Sequence, residues 1–286
     1  RIEVQEVLRP QRIIVMAAFT THAEETGLIY HTARTLEIPG LAHGFSTRAG
    51  GVSRGIFGQL NLGRHRGDSD ENVLENYRIF CAALGVVPER CVLSRQVHRD
   101  DVKIITESDA GAGLTHPQDY EADALVTNVE GLSLVIFSAD CIPTLFYDPV
   151  IRCIGAAHAG WRGTALGIAA KTIRAMERLY GAEVKNIRAA IGPGIGPCCF
   201  ETDDDVPCAM KQALGDAAVP YMKQQDSGKW HVDLKGLNAL WMQQSGVLPE
   251  HIAVSSACTA CNSALYWSHR IVGDARGSQA ALICLK

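Results

Sequence analysis

The tightest constraint on this chain comes from two apolar runs joined by Asp148-Pro149. Pro143 to Tyr147 reads as a strand, Asp148-Pro149 as a turn, and Ile151 to Ala157 as the returning strand of a hairpin. Leu132 to Phe137 supplies another strand just upstream. With Pro149 and Val150 as a two-residue loop, Asp148 faces Ile151. The same register sets Cys141 opposite His158, with Cβ atoms roughly 5 Å apart. Pro143 has no N–H to give a ladder, which predicts an edge strand or a bulge, and a bulge would slip the register.

The rest of the chain reads as strands alternating with amphipathic helices. Asp68-Ser-Asp-Glu71 has the capping-box pattern and opens a helix that should run to about Leu84 and stop at Gly85. Thr164 can cap a second helix, whose apolar positions Leu166, Ile168, Ala169, Ile173, Met176 and Leu179 have helical spacing. A third helix is expected over 203–214, and a fourth, opened by Asp233, over Leu234 to Gln244. Strands are expected at Val92 to Val97, Val102 to Thr106, Asp123 to Thr127, Ile187 to Ile191, and around Ile252 and Ala280. The segment HGFSTRAGGVSRGIFGQLNLG (43–63) reads as short strands and loops rather than helix, and GPGIGPCCFE as a loop that helical or strand backbone cannot tolerate. No internal repeat interrupts this order, so the class is mixed α/β in one domain. Residues 1–38 read as an N-terminal arm or a first strand pair, and 39–286 as the domain.

Composition narrows the function classes. The 286 residues are 47% hydrophobic, enough for a sizeable core. A net charge of −4 gives no electrostatic footprint for nucleic acid or an anionic membrane. The apolar run Ile13 to Phe19 is too short to span a bilayer. Ten cysteines in a chain this long argue against a disulfide scaffold. Cys81, Cys91, Cys153 and Cys284 sit in apolar segments and read as small buried hydrophobes, so a reducing cytoplasm is the expected compartment.

His98, Cys141 and His158 each follow an apolar run and together offer the three protein ligands of a catalytic zinc site. Their spacing matches no compact zinc motif, and the residues alone leave core histidines and a buried thiol as the alternative. Cys258-Thr-Ala-Cys261 is a CxxC, but a zinc ribbon needs a second pair, and the adjacent Cys198-Cys199 lacks the usual spacing. His22-Ala-Glu24 imitates the start of a zinc deaminase signature without the PCxxC that should follow. Asp140 is a candidate proton-transfer group or an orienter of a ligand histidine. Arg162, beside the expected Thr164 helix start, is a candidate anion site, and Arg48 and Asn61 are candidate polar contacts.

Taken together, HGFSTRAGGVS, NLGRHRGD, QVH, ADALVT, SADCIP, HAGWRG, IGPGIGPCCFE and SSACTAC…YWSHR resemble the YfiH family, also called the laccase-domain or multicopper polyphenol oxidase-like family. The resemblance covers about Gly40 to the C-terminus. It implies a compact four-layer α/β/β/α sandwich with mixed sheets. It also implies zinc on His98, Cys141 and His158, phosphorolysis of adenosine, inosine, guanosine and methylthioadenosine, and deamination of adenosine. In deamination the metal would activate water for attack at C6, with Asp140 moving the proton, and in phosphorolysis Arg162 would serve phosphate. Arg48, Asn61, His65 and Cys199 fall in the matching motifs as pocket residues. The chain departs from the family pattern at its end. Ser268-His269-Arg270 stands where SYRR is usual, and Gly277-Ser278 where Gly-Arg is usual, with Arg276 just before.

The implied partners are therefore purine nucleosides and phosphate, with no nucleic acid and no membrane. Two other chemistries remain open on these residues. A copper-dependent polyphenol oxidase is one, since copper outranks zinc for such ligands, although the HxH repeats of multicopper enzymes are missing. A cysteine hydrolase with Cys141 as nucleophile and His158 as base is the other. A metal-free binding protein on the same fold is the non-enzymatic alternative.

Overall fold

Apolar strands buried on both faces build two sheets whose inner faces share one core. The structure, a computed structural model, describes residues 18–286. In chain order the strands are β1 (Phe19–Ala23), β2 (Ile29–Ala33), β3 (Leu41–Ser46), β4 (Cys91–Val92), β5 (Val102–Ile104), β6 (Ala124–Thr127), β7 (Ser133–Ser138), β8 (Ile142–Asp148), β9 (Cys153–Ala159), β10 (Arg188–Ile191), β11 (Glu201–Thr202), β12 (Met222–Gln224), β13 (Trp230–Val232), β14 (Ile252–Val254) and β15 (Gln279–Leu285). The helices are α1 (Asp70–Leu84), α2 (Trp161–Ala165), α3 (Ile168–Tyr180), α4 (Asp205–Leu214), α5 (Leu234–Gln244) and α6 (His269–Val272). One sheet runs β1-β2-β3-β15-β7-β4 and the second β14-β10-β8-β9-β6-β5; β11, β13 and β12 form a small third sheet. Both large sheets are mixed, with parallel pairs at β4–β7, β5–β6 and β10–β14.

The period of two sorts side chains into layers. On β15, Ala281, Ile283 and Leu285 join the layer between the sheets, while Ala280, Leu282 and Cys284 pack on the α1 side. On β9, Ile154 and Ala156 point between the sheets, while Cys153 and Ala157 face α3. The order is therefore α1, first sheet, second sheet, then α3 to α5, which is the four-layer α/β/β/α sandwich. Each fully buried Leu or Ile contributes roughly 1.5–3 kcal/mol, so the three apolar layers carry most of the stability. Cys81, Cys91, Cys153 and Cys284 are buried in them as free thiols. The arm expected over 1–38 lies partly outside the described residues. Its described part supplies the hairpin β1–β2, paired to β3. No helix among the described residues is long and apolar enough to cross a membrane.

Several local expectations are corrected. Ser69, not Asp68, caps α1 by accepting from Asn72 N at 3.2 Å, and left-handed Gly85 (φ 63°) ends the helix. The strand expected through Val97 stops at Val92, and the one expected through Thr106 stops at Ile104. Thr164 caps nothing. It lies inside the five-residue α2, where its hydroxyl accepts from Asn238 Nδ2 and its carbonyl from Trp241 Nε1. Gly167 in the left-handed region (φ 72°) then starts α3. Asp233 does open α5, accepting from Gly236 N at 3.0 Å.

The central hairpin also differs in register. Its loop has four residues, not two, because Asp148 accepts from Val150 N and Ile151 N and left-handed Arg152 (φ 58°) closes the turn. Asp148 therefore faces Cys153, and His158 faces Pro143. Nor is β8 an edge strand. Pro143 stands one residue beyond the last pair to β10, Thr144–Ile191, where its missing N–H costs the ladder nothing.

Candidate metal centre and cavity

A two-residue slip in register keeps every side chain on its face. Cys141 and His158 thus still share the inter-sheet side of the second sheet, in line with Leu145, Tyr147, Ile154 and Ala156. The apolar layer ends there and the centre begins. The donor atoms of His98, Cys141 and His158 all lie within 4.8 Å of one another, with Cys141 Sγ 3.8 Å from His98 Nε2. The two imidazoles meet edge to face, with centroids 4.8 Å apart. Gly160 extends β9 into this space. A Cβ there would stand 3.0 Å from His98 Cδ2 and 3.1 Å from Cys141 Sγ, so the glycine of HAGWRG leaves room for the ligands.

Asp123 organises the centre, and the sequence reading did not single it out. Its fully buried carboxylate accepts from the backbone N–H of Val97, His98 and Arg99 at 3.1, 3.0 and 2.8 Å. It also accepts from His158 Nδ1 at 2.8 Å. That bond fixes the tautomer that leaves Nε2 free to bind a metal, the usual arrangement for a ligand histidine. The same carboxylate holds His98 in the left-handed region at φ 61°. Gln96 pins the loop from its other side through both backbone bonds to Phe137, 2.7 and 3.0 Å.

Electrostatics favour a thiolate. Burial opposes charge on Cys141, but His158 and His98 outweigh it and bring the thiol down to about 6. Burial likewise opposes the imidazolium of His158, and the Cys141 charge and Asp123 overcome it, raising that group to about 9. Asp123 itself is held below the usual carboxylate range: burial resists, and the bonds from His158 and the backbone prevail. A thiolate with two imidazoles is the donor set of a three-ligand zinc site and suits copper equally by softness.

The trio lines a cavity of about 380 Å³, within the range of small-molecule sites. Phe137, Trp161 and Phe200 give it aromatic walls, and Arg66, Arg270 and Arg276 bring cations to its rim. Arg276 is 7% exposed; its Nη1 donates to Gly277 O and Ser278 Oγ, and its buried Nε has no partner. Burial pushes this guanidinium down to about 10, with Arg66 adding to the effect. Asp140, Cys141 and Asp274 act on it in the opposite sense, but it forms no ion pair with a described carboxylate, and a buried cation without a paired anion is a demand for one.

The other expected site residues fall elsewhere. Arg162 is exposed, stacks over Trp161 at 4.3 Å and does not line the cavity. Arg48 lies over Trp267 and donates to Gly58 O and Ser263 O, which makes it a brace for its own loop. Asn61 is fully buried and tied to Gly63, Asp68 and Ser278. His65 lines an adjoining cavity of about 690 Å³ that shares Arg66, Gln96 and Phe137 with the first. Asp140 does line the cavity, but its carboxylate is spent. Oδ1 accepts from Thr259 at 2.6 Å, and Oδ2 accepts from Ser268 Oγ and Arg270 N. These bonds hold Asp140 in the left-handed region (φ 88°) directly before Cys141, so it positions the ligand and offers no free base. Cys199 belongs to a second group of thiols with Cys198, Cys258 and Cys261.

Four sandwiched layers and a histidine–cysteine–histidine centre at their open end define a class of protein. The family model described as "Multi-copper polyphenol oxidoreductase laccase" matches residues 42–286, and the chain belongs to that family. It is 37% identical over 249 residues, 85% of this chain and 90% of its relative, to "Purine nucleoside phosphorylase YlmD" of Geobacillus stearothermophilus. It is 33% identical over 232 residues, covering 80% of this chain and 88% of the other, to "Adenosine deaminase RL5" from an unknown prokaryotic organism. Among solved structures, Bacillus licheniformis hypothetical protein YfiH superposes with a TM-score of 0.87 at 32% identity, covering 93% of this chain and 99% of that one.

Proposed function

We propose that this protein is a metal-dependent purine nucleoside enzyme that cleaves nucleosides with phosphate and also deaminates adenosine. The observation that carries this reading is the meeting, in one cavity, of a three-donor metal centre and the buried guanidinium of Arg276, whose Nε has no partner and which forms no ion pair with a described carboxylate. The named relatives support the same chemistry. Adenosine, inosine, guanosine and methylthioadenosine are the substrates the family resemblance implies.

His98, Cys141 and His158 would hold the metal, zinc in this reading, which supplies a Lewis acid beside the substrate when bound. Phe137, Trp161 and Phe200 give the purine flat apolar surface to pack on and exclude water from it. Arg276, with Arg66 at the rim, neutralises phosphate as its oxygen bonds C1′ and the bond from C1′ to the base nitrogen breaks. The leaving base takes up a proton. His269, which lines the cavity, is the side chain we assign to move it. In deamination water adds at C6 and ammonia leaves, and Arg276 has no anion to serve.

The family description names a copper oxidase. Multicopper chemistry needs clustered imidazoles. Among the described residues the two donor groups are one set of two histidines with a cysteine and one set of four cysteines. The cysteine hydrolase reading has firmer geometry, since Cys141, His158 and Asp123 form a thiolate, imidazolium and carboxylate series.

One experiment separates these readings. Purified protein is given adenosine with and without inorganic phosphate, before and after chelation, alongside Cys141→Ser. Adenine with ribose 1-phosphate should form only with phosphate, inosine without it, and both should fall at least a hundredfold on chelation and in the variant. Full turnover in chelated protein, abolished by a thiol alkylator, would transfer the assignment to the hydrolase.

A further inference from the structure

The two cysteine pairs that sequence spacing could not combine meet in space. We propose that Cys198, Cys199, Cys258 and Cys261 bind a structural zinc ion, separate from the histidine–cysteine–histidine centre. The four Sγ atoms lie within 4.8 Å of one another, with Cys261 3.4 Å from Cys198 and 3.3 Å from Cys199. Zinc–sulfur bonds of about 2.3 Å in a tetrahedron put sulfurs roughly 3.8 Å apart, inside this spread. The near-equal approach of Cys198 and Cys199 to Cys261 fits a common central ion. A disulfide would have to choose one partner and strand the other.

The surroundings suit a charged tetrathiolate. Gly196 N donates to Cys258 Sγ at 3.1 Å, the kind of N–H···S bond that supports metal thiolates. Lys235 is buried and donates to the carbonyls of Ser255 and Ala257, which places a positive charge beside the group. The cysteines sit on two irregular segments linked by a single bridge, Gly194–Cys258. An ion would supply the cross-link that regular pairing does not.

Both segments also build the cavity. Ile195 and Phe200 flank Cys198 and Cys199 and line it. Thr259, between the other two cysteines, bonds Asp140, and Arg270 Nη1 donates to Cys199 O. The ion is thus a positioning element. Its loss should raise KM for the nucleoside severalfold more than it lowers kcat.

Metal counting tests this whatever the activity proves to be. Protein purified anaerobically with zinc should carry two zinc ions per chain by native mass spectrometry. Cys258→Ser/Cys261→Ser should carry one, retained on the first centre, and Cys141→Ser should carry one, retained here. With cobalt, the intense thiolate charge-transfer bands of a four-sulfur site should persist in Cys141→Ser and vanish in the double variant. A single ion in wild-type protein that is still present in the double variant, or a Cys198–Cys261 or Cys199–Cys261 disulfide in fresh wild-type protein, overturns the proposal. The count on wild-type protein stands even if a variant misfolds. One ion lost only in the double variant would uphold this site and sink the first centre.

Discussion

The two sulfur-bearing centres are built in opposite ways. The histidine–cysteine–histidine group stands against strands whose register is locked by the core, with His158 within β9, Cys141 one residue before β8 and His98 on a loop. The four-cysteine group stands wholly on irregular segments, with one backbone bridge between them. The first would keep its shape without an ion, because Asp123 and the sheet hold it. The second is held by single side-chain bonds, such as those of Lys235 and Thr259, and by no strand pairing beyond that bridge. Strand-built sites suit chemistry, which needs donors at fixed distances, and loop-built sites suit cross-linking, in which the ion imposes the distances.

The largest effect that bears on this contrast comes from Asp123→Asn. The amide cannot accept from three backbone N–H groups and the His158 ring at once. Metal affinity of the first centre and nucleoside turnover should fall by roughly 10–100-fold, read by competition with a chromophoric chelator and by product assay. The cobalt–sulfur signature of the other centre should remain. Loss of both together would show that the two centres are not independent.

A smaller change sharpens the division between metal centre and cavity. Arg276→Ala removes a charge-assisted contact worth about 1.5–3 kcal/mol, so KM for phosphate should rise at least about tenfold. Metal content and deamination should stay near wild type. Equal loss of phosphorolysis and deamination would make Arg276 a structural residue.

The smallest effect compares two buried imidazoles. His158 is paired with a carboxylate, whereas His43 accepts one bond from Ala33 N and is pushed down by burial to about 4. The unfolded chain protonates this group near 6.5 and the folded one only near 4. Its stabilising contribution is therefore complete above about pH 6.5 and is lost as pH falls through 4, on the order of 3 kcal/mol at most. The melting temperature of His43→Gln should fall less steeply than that of wild type between pH 6.5 and 4. Parallel curves would remove His43 as the cause.

The same contrast explains what the sequence disclosed. Apolar runs along Leu132 to Phe137 and Ile151 to Ala157 made the sheets legible, and Asp233 and Gly85 marked helix ends, because these are local rules. His98, Cys141 and His158 were found through motif resemblance, and the hairpin put two of them on one face. The register itself was missed, because Asp148 closes a four-residue turn by accepting from its own loop, which Asp-Pro does not announce. Asp123 gives no local signal, since one carboxylate before an apolar strand looks ordinary until the fold buries it, and Arg276 is marked only by its place beside the departure at Gly277-Ser278. The cysteine cluster needed contacts across more than sixty positions, 3.3 Å between Cys199 and Cys261, that no spacing rule reports.

The double duty of Asp123 has a mechanical consequence. One carboxylate fixes the loop that carries His98 and the ring of His158. The two imidazoles arrive from chain positions sixty residues apart, yet both are referenced to the same rigid mount. Displacement of that mount is common-mode: it carries both nitrogens together and leaves their separation almost unchanged. Breathing of the sandwich would then shift the pair as a unit, while the geometry that matters to a bound ion stays constant.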